Sequence, residues 1–169
     1  KALMERGDLD MQFSVSATNR KPRAGEKHGE SYYFMTDEEF MKAVGDGLFL
    51  EHEEVYPGRY YGTLKSEVER ITSSGHNMVL DIDVNGGINV KRLLGDRALS
   101  VFIMPPGIDA LRVRLEGRGT DSAEVIAQRL ERASYELDQA PHYDVTVVND
   151  DLAEAVANAH DVIAGFISE

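Results

Sequence analysis

Three short apolar runs in the second half of the chain constrain its fold more than any other feature. Met78–Ile82 (MVLDI), Leu99–Ile103 (LSVFI) and Val145–Val148 (VTVV) are continuous rather than alternating. A strand that is apolar on both faces has to be covered on both faces, which is the pattern of a parallel sheet between helices. Segments of helical period separate the runs, at about 86–94, 108–116 and 122–139. A last one spans about 151–167, with Leu152, Val156, Ala159, Ile163 and Phe166 along one stripe. The alternation predicts an α/β fold with a parallel sheet flanked by helices.

The first half has another rhythm. Met11–Ala17 (MQFSVSA) alternates and reads as a strand, Thr18–Gly29 as an exposed polar loop, and Ser31–Met35 as a second strand. Thr36-Asp37-Glu38-Glu39 is a capping-box pattern, so a helix should follow and stop near Gly45 or Gly47. Leu48–Val55 alternates again, and Thr63 can cap a helix carrying Leu64, Val68 and Ile71 on one face. Residues from about 18 to 74 therefore read as a mixed α+β insertion. Lys1–Gly7 reads as the end of a helix with Gly7 as its stop. That reading predicts further chain upstream of Lys1.

Charge narrows the possible partners. Thirty acidic residues against eighteen Lys and Arg leave a net charge of −12. This disfavours non-specific nucleic-acid binding and anionic membrane surfaces. The absence of Cys excludes disulfides, thiol catalysis and thiolate metal sites. No apolar run approaches the roughly 20 residues needed to span a bilayer. The basic residues are nevertheless concentrated. Arg20, Lys21, Arg23 and Lys27 lie close together with only Glu26 opposing them, and Arg112, Arg114, Arg118, Arg129 and Arg132 form a second set. Guanidinium forks match phosphate oxygens, so two such sets in an acidic chain suit phosphate ligands. Taken singly, each set also fits a solvated loop or a helix face with ion pairs.

Five stretches in collinear order carry a more specific reading. They are Ser16-Ala-Thr-Asn-Arg-Lys-Pro-Arg-Ala-Gly-Glu26; Glu51-His-Glu-Glu-Val55 followed by Tyr60-Tyr-Gly-Thr63; Asp81-Ile-Asp83 with Gly86; Arg114-Leu-Glu-Gly-Arg-Gly-Thr120; and Val147-Val-Asn-Asp-Asp151. Together they resemble the guanylate kinase family, which transfers the γ-phosphoryl group of ATP to GMP, giving GDP and ADP. The resemblance covers nearly the whole chain. It implies a P-loop-type nucleoside monophosphate kinase. Residues 1–16, 75–113 and 133–169 would form the core, 17–74 a GMP-binding subdomain and 114–132 a short lid.

The family pattern also implies site residues. Glu51 would accept from guanine N1 and N2, with Ser16 and Thr63 as hydroxyl partners. Arg20 and Arg23, with the Tyr32 and Tyr61 hydroxyls, would hold the GMP phosphate, and Asp83 would lie nearer the bound GMP. Asp81 resembles the acid that serves Mg²⁺, directly or through water. Arg118 and Arg129 are similar to lid arginines over the transferring phosphate, and Arg114 to a further arginine near the phosphates. Asn149, with Arg118, would contact ATP, while Asp150 and Asp151 read as caps of the last helix. The substrates would be GMP and ATP with Mg²⁺, and the setting cytoplasmic, with no nucleic-acid or membrane partner and a homo-oligomer open.

One part of the family pattern is missing. No Gly-rich turn followed by Lys and Ser or Thr occurs in these 169 residues. The expectation is that the first strand, the P-loop and most of the first helix lie upstream of Lys1, and that a polypeptide lacking them transfers no phosphoryl group. The alternative is a catalytically inactive guanylate-kinase-like domain whose GMP pocket binds a protein partner.

Overall fold

The structure, a computed structural model, describes residues 2–117, 119 and 122–168. The chain divides into two compact units, Leu3–Ala98 and Leu99–Glu169.

The first unit opens with a short helix α1 (Ala2–Arg6), stopped by Gly7 at a φ of +69°. Strand β1 (Met11–Phe13) pairs in parallel with β6 (Asn77–Val79). Beside this pair stands a four-stranded mixed sheet of order β3-β2-β5-β4. Its members are β2 (Ala17–Thr18), β3 (Tyr33–Phe34), β4 (Phe49–Tyr56) and β5 (Arg59–Leu64). Helix α2 (Asp37–Gly45) covers that sheet, and its N-terminus carries both halves of the expected capping box between Thr36 and Glu39. Phe40 of α2 stacks on Phe49 of β4 with ring centroids 4.6 Å apart, in a core shared with Ala17 and Ala43. Burying two such rings removes enough apolar surface that truncating either to Ala would cost about 3–5 kcal/mol. Helices α3 (Lys65–Ser73) and α4 (Val84–Leu94) complete the unit, with a 3₁₀ turn at Gly95–Arg97.

The second unit has a parallel pair, β7 (Val101–Met104) with β8 (Val145–Val148). Its helices are α5 (Ile108–Gly117), α6 (Ala123–Asp138) and α7 (Leu152–Ile167). The Asp151 carboxylate accepts from Glu154 N–H and caps α7 as expected.

Three local expectations need correction. Met11–Ala17 is two strands, because Ser14 to Ser16 leave the ladder between β1 and β2. Thr63 does not cap α3. It lies inside β5, fully buried, and the N-cap is Leu64, which makes no side-chain cap bond. Leu152 is 63% exposed and drops out of the expected stripe of α7, whose other members hold, with Ala159 buried and Val156, Ile163 and Phe166 partly buried, and Ala155 joins them.

Candidate functional site

The central side chain of the first unit is Glu51. It sits in β4 opposite Thr63 of β5, on the antiparallel ladder that the alternating sequence of Leu48–Val55 prescribes. Glu51 is only 7% exposed. Its Oε1 accepts the Thr63 hydroxyl at 2.7 Å. The other oxygen, Oε2, lies against the first turn of α4. A Cβ built on Gly86 would come within 2.8 Å of that oxygen, so any larger residue there would push it aside. Burial pushes the Glu51 carboxyl above its ordinary range, and the nearby charges of Glu53 and Asp83 add to the shift. Hydrogen bonds from the Thr63 hydroxyl and backbone work the other way without cancelling the rise. Glu51 is therefore a buried acid with one oxygen anchored and little compensating charge.

Glu51 forms one wall of a cleft of about 220 Å³ that lies within this unit. Ser16, Tyr32, Tyr61, Asp81 and Asp83 also line it, so motifs more than sixty residues apart in sequence meet there. Tyr32 and Tyr61 pack edge to face with centroids 6.0 Å apart, and burial raises the Tyr32 hydroxyl above its usual value. Asp81 is exposed, just past the carboxyl end of β6, where ligands bind in parallel sheets. Asp83 has two roles, since it lines the cleft and also caps α4 by accepting from Asn85 and Gly86 N–H.

The arginines of the 20–27 loop divide. The Arg20 guanidinium stands over the Tyr32 ring at 5.3 Å and is held by a bidentate pair to Glu26, at 3.0 Å and 2.8 Å. Glu26 also accepts the Arg23 backbone N–H at 2.6 Å and is held below its ordinary pKa, chiefly by Arg20. The Arg23 side chain is exposed. Thr63 is fully buried and donates to Glu51, so its hydroxyl reaches the cleft through that carboxylate.

In the second unit, Arg114 near the end of α5 donates to the carbonyls of Asn149 at 2.8 Å and Asp150 at 3.2 Å. Arg129 lies half-buried on α6. Arg118 falls outside the described residues.

Sequence reasoning passed over one strong feature, Glu67 of α3. It is 2% exposed and accepts Val15 N–H, the Tyr33 hydroxyl and a bidentate Arg70 guanidinium. Its carboxyl is lowered to about 2, first by Arg70 and then by the Val15 and Tyr33 bonds. The only local signal was Arg70 three residues later, which is common on helix surfaces.

A parallel strand pair flanked by helices in each unit, and in the first a mixed sheet that presents an acid, hydroxyls and aromatic rings to a cleft, fit the class of P-loop-type nucleoside monophosphate kinases. The comparisons make the assignment specific. The guanylate kinase family model matches residues 1–165. Guanylate kinase of Bacteroides fragilis is 52% identical over 159 residues, covering 94% of this chain and 78% of that protein. Guanylate kinase of Salinibacter ruber is 50% identical over 159 residues, covering 94% and 84%. The crystal structure of guanylate kinase from Anaplasma phagocytophilum superposes with a TM-score of 0.82 at 29% identity, covering 99% of this chain and 81% of that one. The chain belongs to the guanylate kinase family. These relatives are kinases, and nothing in them favours the inactive interaction-domain alternative.

Proposed function

We propose that this chain binds GMP in the cleft beside Glu51 and serves the transfer of the ATP γ-phosphoryl group to it, giving GDP and ADP. The observation that carries this reading is the buried, half-anchored carboxylate of Glu51 facing a polar cleft. Guanine offers two adjacent donors, N1–H and N2–H, which an ionised carboxylate can accept together. Adenine lacks that pair and would leave the buried acid with Thr63 as its hydrogen-bond donor and no second partner, a mismatch that can cost orders of magnitude. Ser16 is the hydroxyl partner on the cleft wall, and Thr63 serves by fixing the orientation of Glu51. Asp83 lies beside the nucleotide in this reading.

Arg20, Arg23, Tyr32 and Tyr61 would hold the GMP phosphate. Their support is the placement of Arg20 over Tyr32, next to Tyr61. Phosphoryl transfer needs positioning and charge stabilisation rather than a protein nucleophile. Arg114, Arg118 and Arg129 are the arginines assigned to that work. Asn149 is assigned, with Arg118, to ATP, and the Arg114 bonds to Asn149 and Asp150 support a shared site in the second unit. Residues 17–74 act as the GMP-binding subdomain, 114–132 as the lid and the rest as the core. The separate apolar core of α2 with the mixed sheet supports the first of these.

Among the described residues no cluster of three or more His, Asp or Glu could enclose a metal. A single exposed carboxylate at Asp81 suits Mg²⁺, which keeps most of its waters and takes the rest of its oxygens from substrate phosphates. Bound there, Mg²⁺ would neutralise phosphate charge. No helix among the described residues is long and apolar enough to cross a membrane. The cytoplasm, where GMP and ATP are free, is the setting proposed.

Calorimetric titration with GMP and AMP tests the binding reading. GMP should bind at least about 100-fold more tightly than AMP, and equal affinities would overturn it. ADP release with GMP, ATP and Mg²⁺ separates the enzyme from an interaction domain.

A further inference from the structure

Two side chains on the cleft wall, Ser16 and Tyr32, are tied together behind the wall by a closed circuit of hydrogen bonds that runs through Glu67. The Val15 N–H donates to Glu67 Oε2 at 2.9 Å. The next residue, Ser16, accepts the Tyr33 N–H on its carbonyl at 2.9 Å. The Tyr33 hydroxyl then returns to Glu67 Oε1 at 3.0 Å. Arg70 closes the back of the carboxylate with Nε and Nη2, each at 2.8 Å.

The circuit supports the stretch that needs it most. Residues 14–16 have left the β1–β6 ladder, and Ser14 N–H keeps one last bond to Val79 O. Ala17 and Thr18 then enter the four-stranded sheet. Val15 donates to Glu67 in the gap between the two sheets, where no ladder bond is available to it. Successive side chains of an extended backbone point to opposite faces. The Tyr33 side chain therefore reaches Glu67 while that of its neighbour Tyr32 lines the cleft, and from the other stretch the circuit takes only backbone groups, Val15 N–H and Ser16 C=O, leaving the Ser16 side chain to the cleft. A carboxylate with four donors, 2% exposed, cannot move without stranding several of them.

The geometry points to Glu67 as a positioning residue for nucleotide binding, one that sets Ser16 and Tyr32 relative to each other without touching the ligand. This inference rests on the reading of the cleft as the GMP site. It predicts that loss of the circuit weakens GMP binding through those two residues. A role confined to folding predicts a loss of stability with unchanged affinity in the molecules that remain folded.

The test is a double-mutant cycle read as GMP affinity by calorimetry, well below the unfolding midpoint, with folding verified by circular dichroism. Glu67→Gln should weaken GMP roughly tenfold and Tyr33→Phe roughly threefold, in line with the loss of one or two bonds to a charged group. In a Ser16→Ala/Tyr32→Phe background the further loss on Glu67→Gln should shrink to less than about twofold, because coupled residues do not add. Should Glu67→Gln fail to fold, the same cycle is run with Tyr33→Phe, which removes a single hydroxyl. Wild-type affinity in the folded variants, or an undiminished loss in the double background, would overturn the inference. If the unmodified chain does not bind GMP at millimolar concentration, the GMP reading itself fails and the positioning role fails with it.

Discussion

Two buried glutamates in one unit, Glu51 and Glu67, have opposite fates. Both are less than a tenth exposed. Glu67 is surrounded by donors, and its carboxyl falls to about 2. Glu51 has the Thr63 hydroxyl on one oxygen, two acids nearby and a raised carboxyl. Burial alone disfavours the charged form, so the difference lies in what each acid is given in return. Glu67 is completed by the protein and is a fixed part of the structure. Glu51 is left incomplete, which is what a ligand bearing two N–H donors would supply. A fold that leaves such a group short of partners sacrifices stability where it binds.

Substitutions that break this contrast should have ranked effects. Glu51→Gln should have the largest effect on binding, a loss of GMP affinity of about 100-fold or more with little change for ATP, since an amide cannot accept both guanine donors. Its folding stability near neutral pH should be equal or higher. Equal losses for both nucleotides would remove the assigned role. Glu67→Gln should cost about 2–3 kcal/mol of stability, because an amide NH₂ in place of a carboxylate oxygen strands the Val15 N–H or the Tyr33 hydroxyl and removes the charge that the exposed Arg70 guanidinium pairs with. For a chain of this size that lowers the unfolding midpoint by roughly 5–10 °C. Gly86→Ala should be milder, with roughly 1–2 kcal/mol of GMP affinity lost as the new methyl group crowds Glu51 Oε2. An unchanged affinity would show that this oxygen can move freely.

Their pH dependences should have opposite signs. Glu67 has a folded pKa below its ordinary 4.5, so its contribution is complete above 4.5 and is lost as pH falls toward about 2. The stability gap between the unmodified chain and Glu67→Gln should close over that window in acid titrations. Glu51 has a folded pKa above 4.5, so its neutral form stabilises the fold below 4.5, and that benefit is lost as pH rises through the raised value. The advantage of Glu51→Gln in stability should accordingly open above pH 4.5. A gap that moves the same way for both variants would contradict the contrast.

The sequence disclosed one of these glutamates and hid the other. Glu51 was legible because its motif stands in order with four others, and the ladder of Leu48–Val55 is written in local alternation. The capping box at Thr36 and the strand Val145–Val148 were legible for the same reason, since neighbouring residues carry the whole signal. Glu67 reads locally as an acid in the first turn of a surface helix. Its decisive partners, Tyr33 and Val15, lie 34 and 52 residues away. No local period encodes such contacts. Thr63 misled for a related reason. A threonine before a helical pattern resembles a cap, but its hydroxyl is already committed to Glu51 across the sheet.

The contrast can be measured directly by following the side-chain carboxyl ¹³C resonances of Glu51 and Glu67 against pH, with and without saturating GMP. The account predicts a Glu51 midpoint above 4.5 in the free chain that falls when GMP binds, and a Glu67 signal that shows no titration above about pH 3 in either state. A Glu51 midpoint at or below 4.5 in the free chain, or one that GMP leaves in place, would contradict the claim that this acid is kept incomplete for guanine.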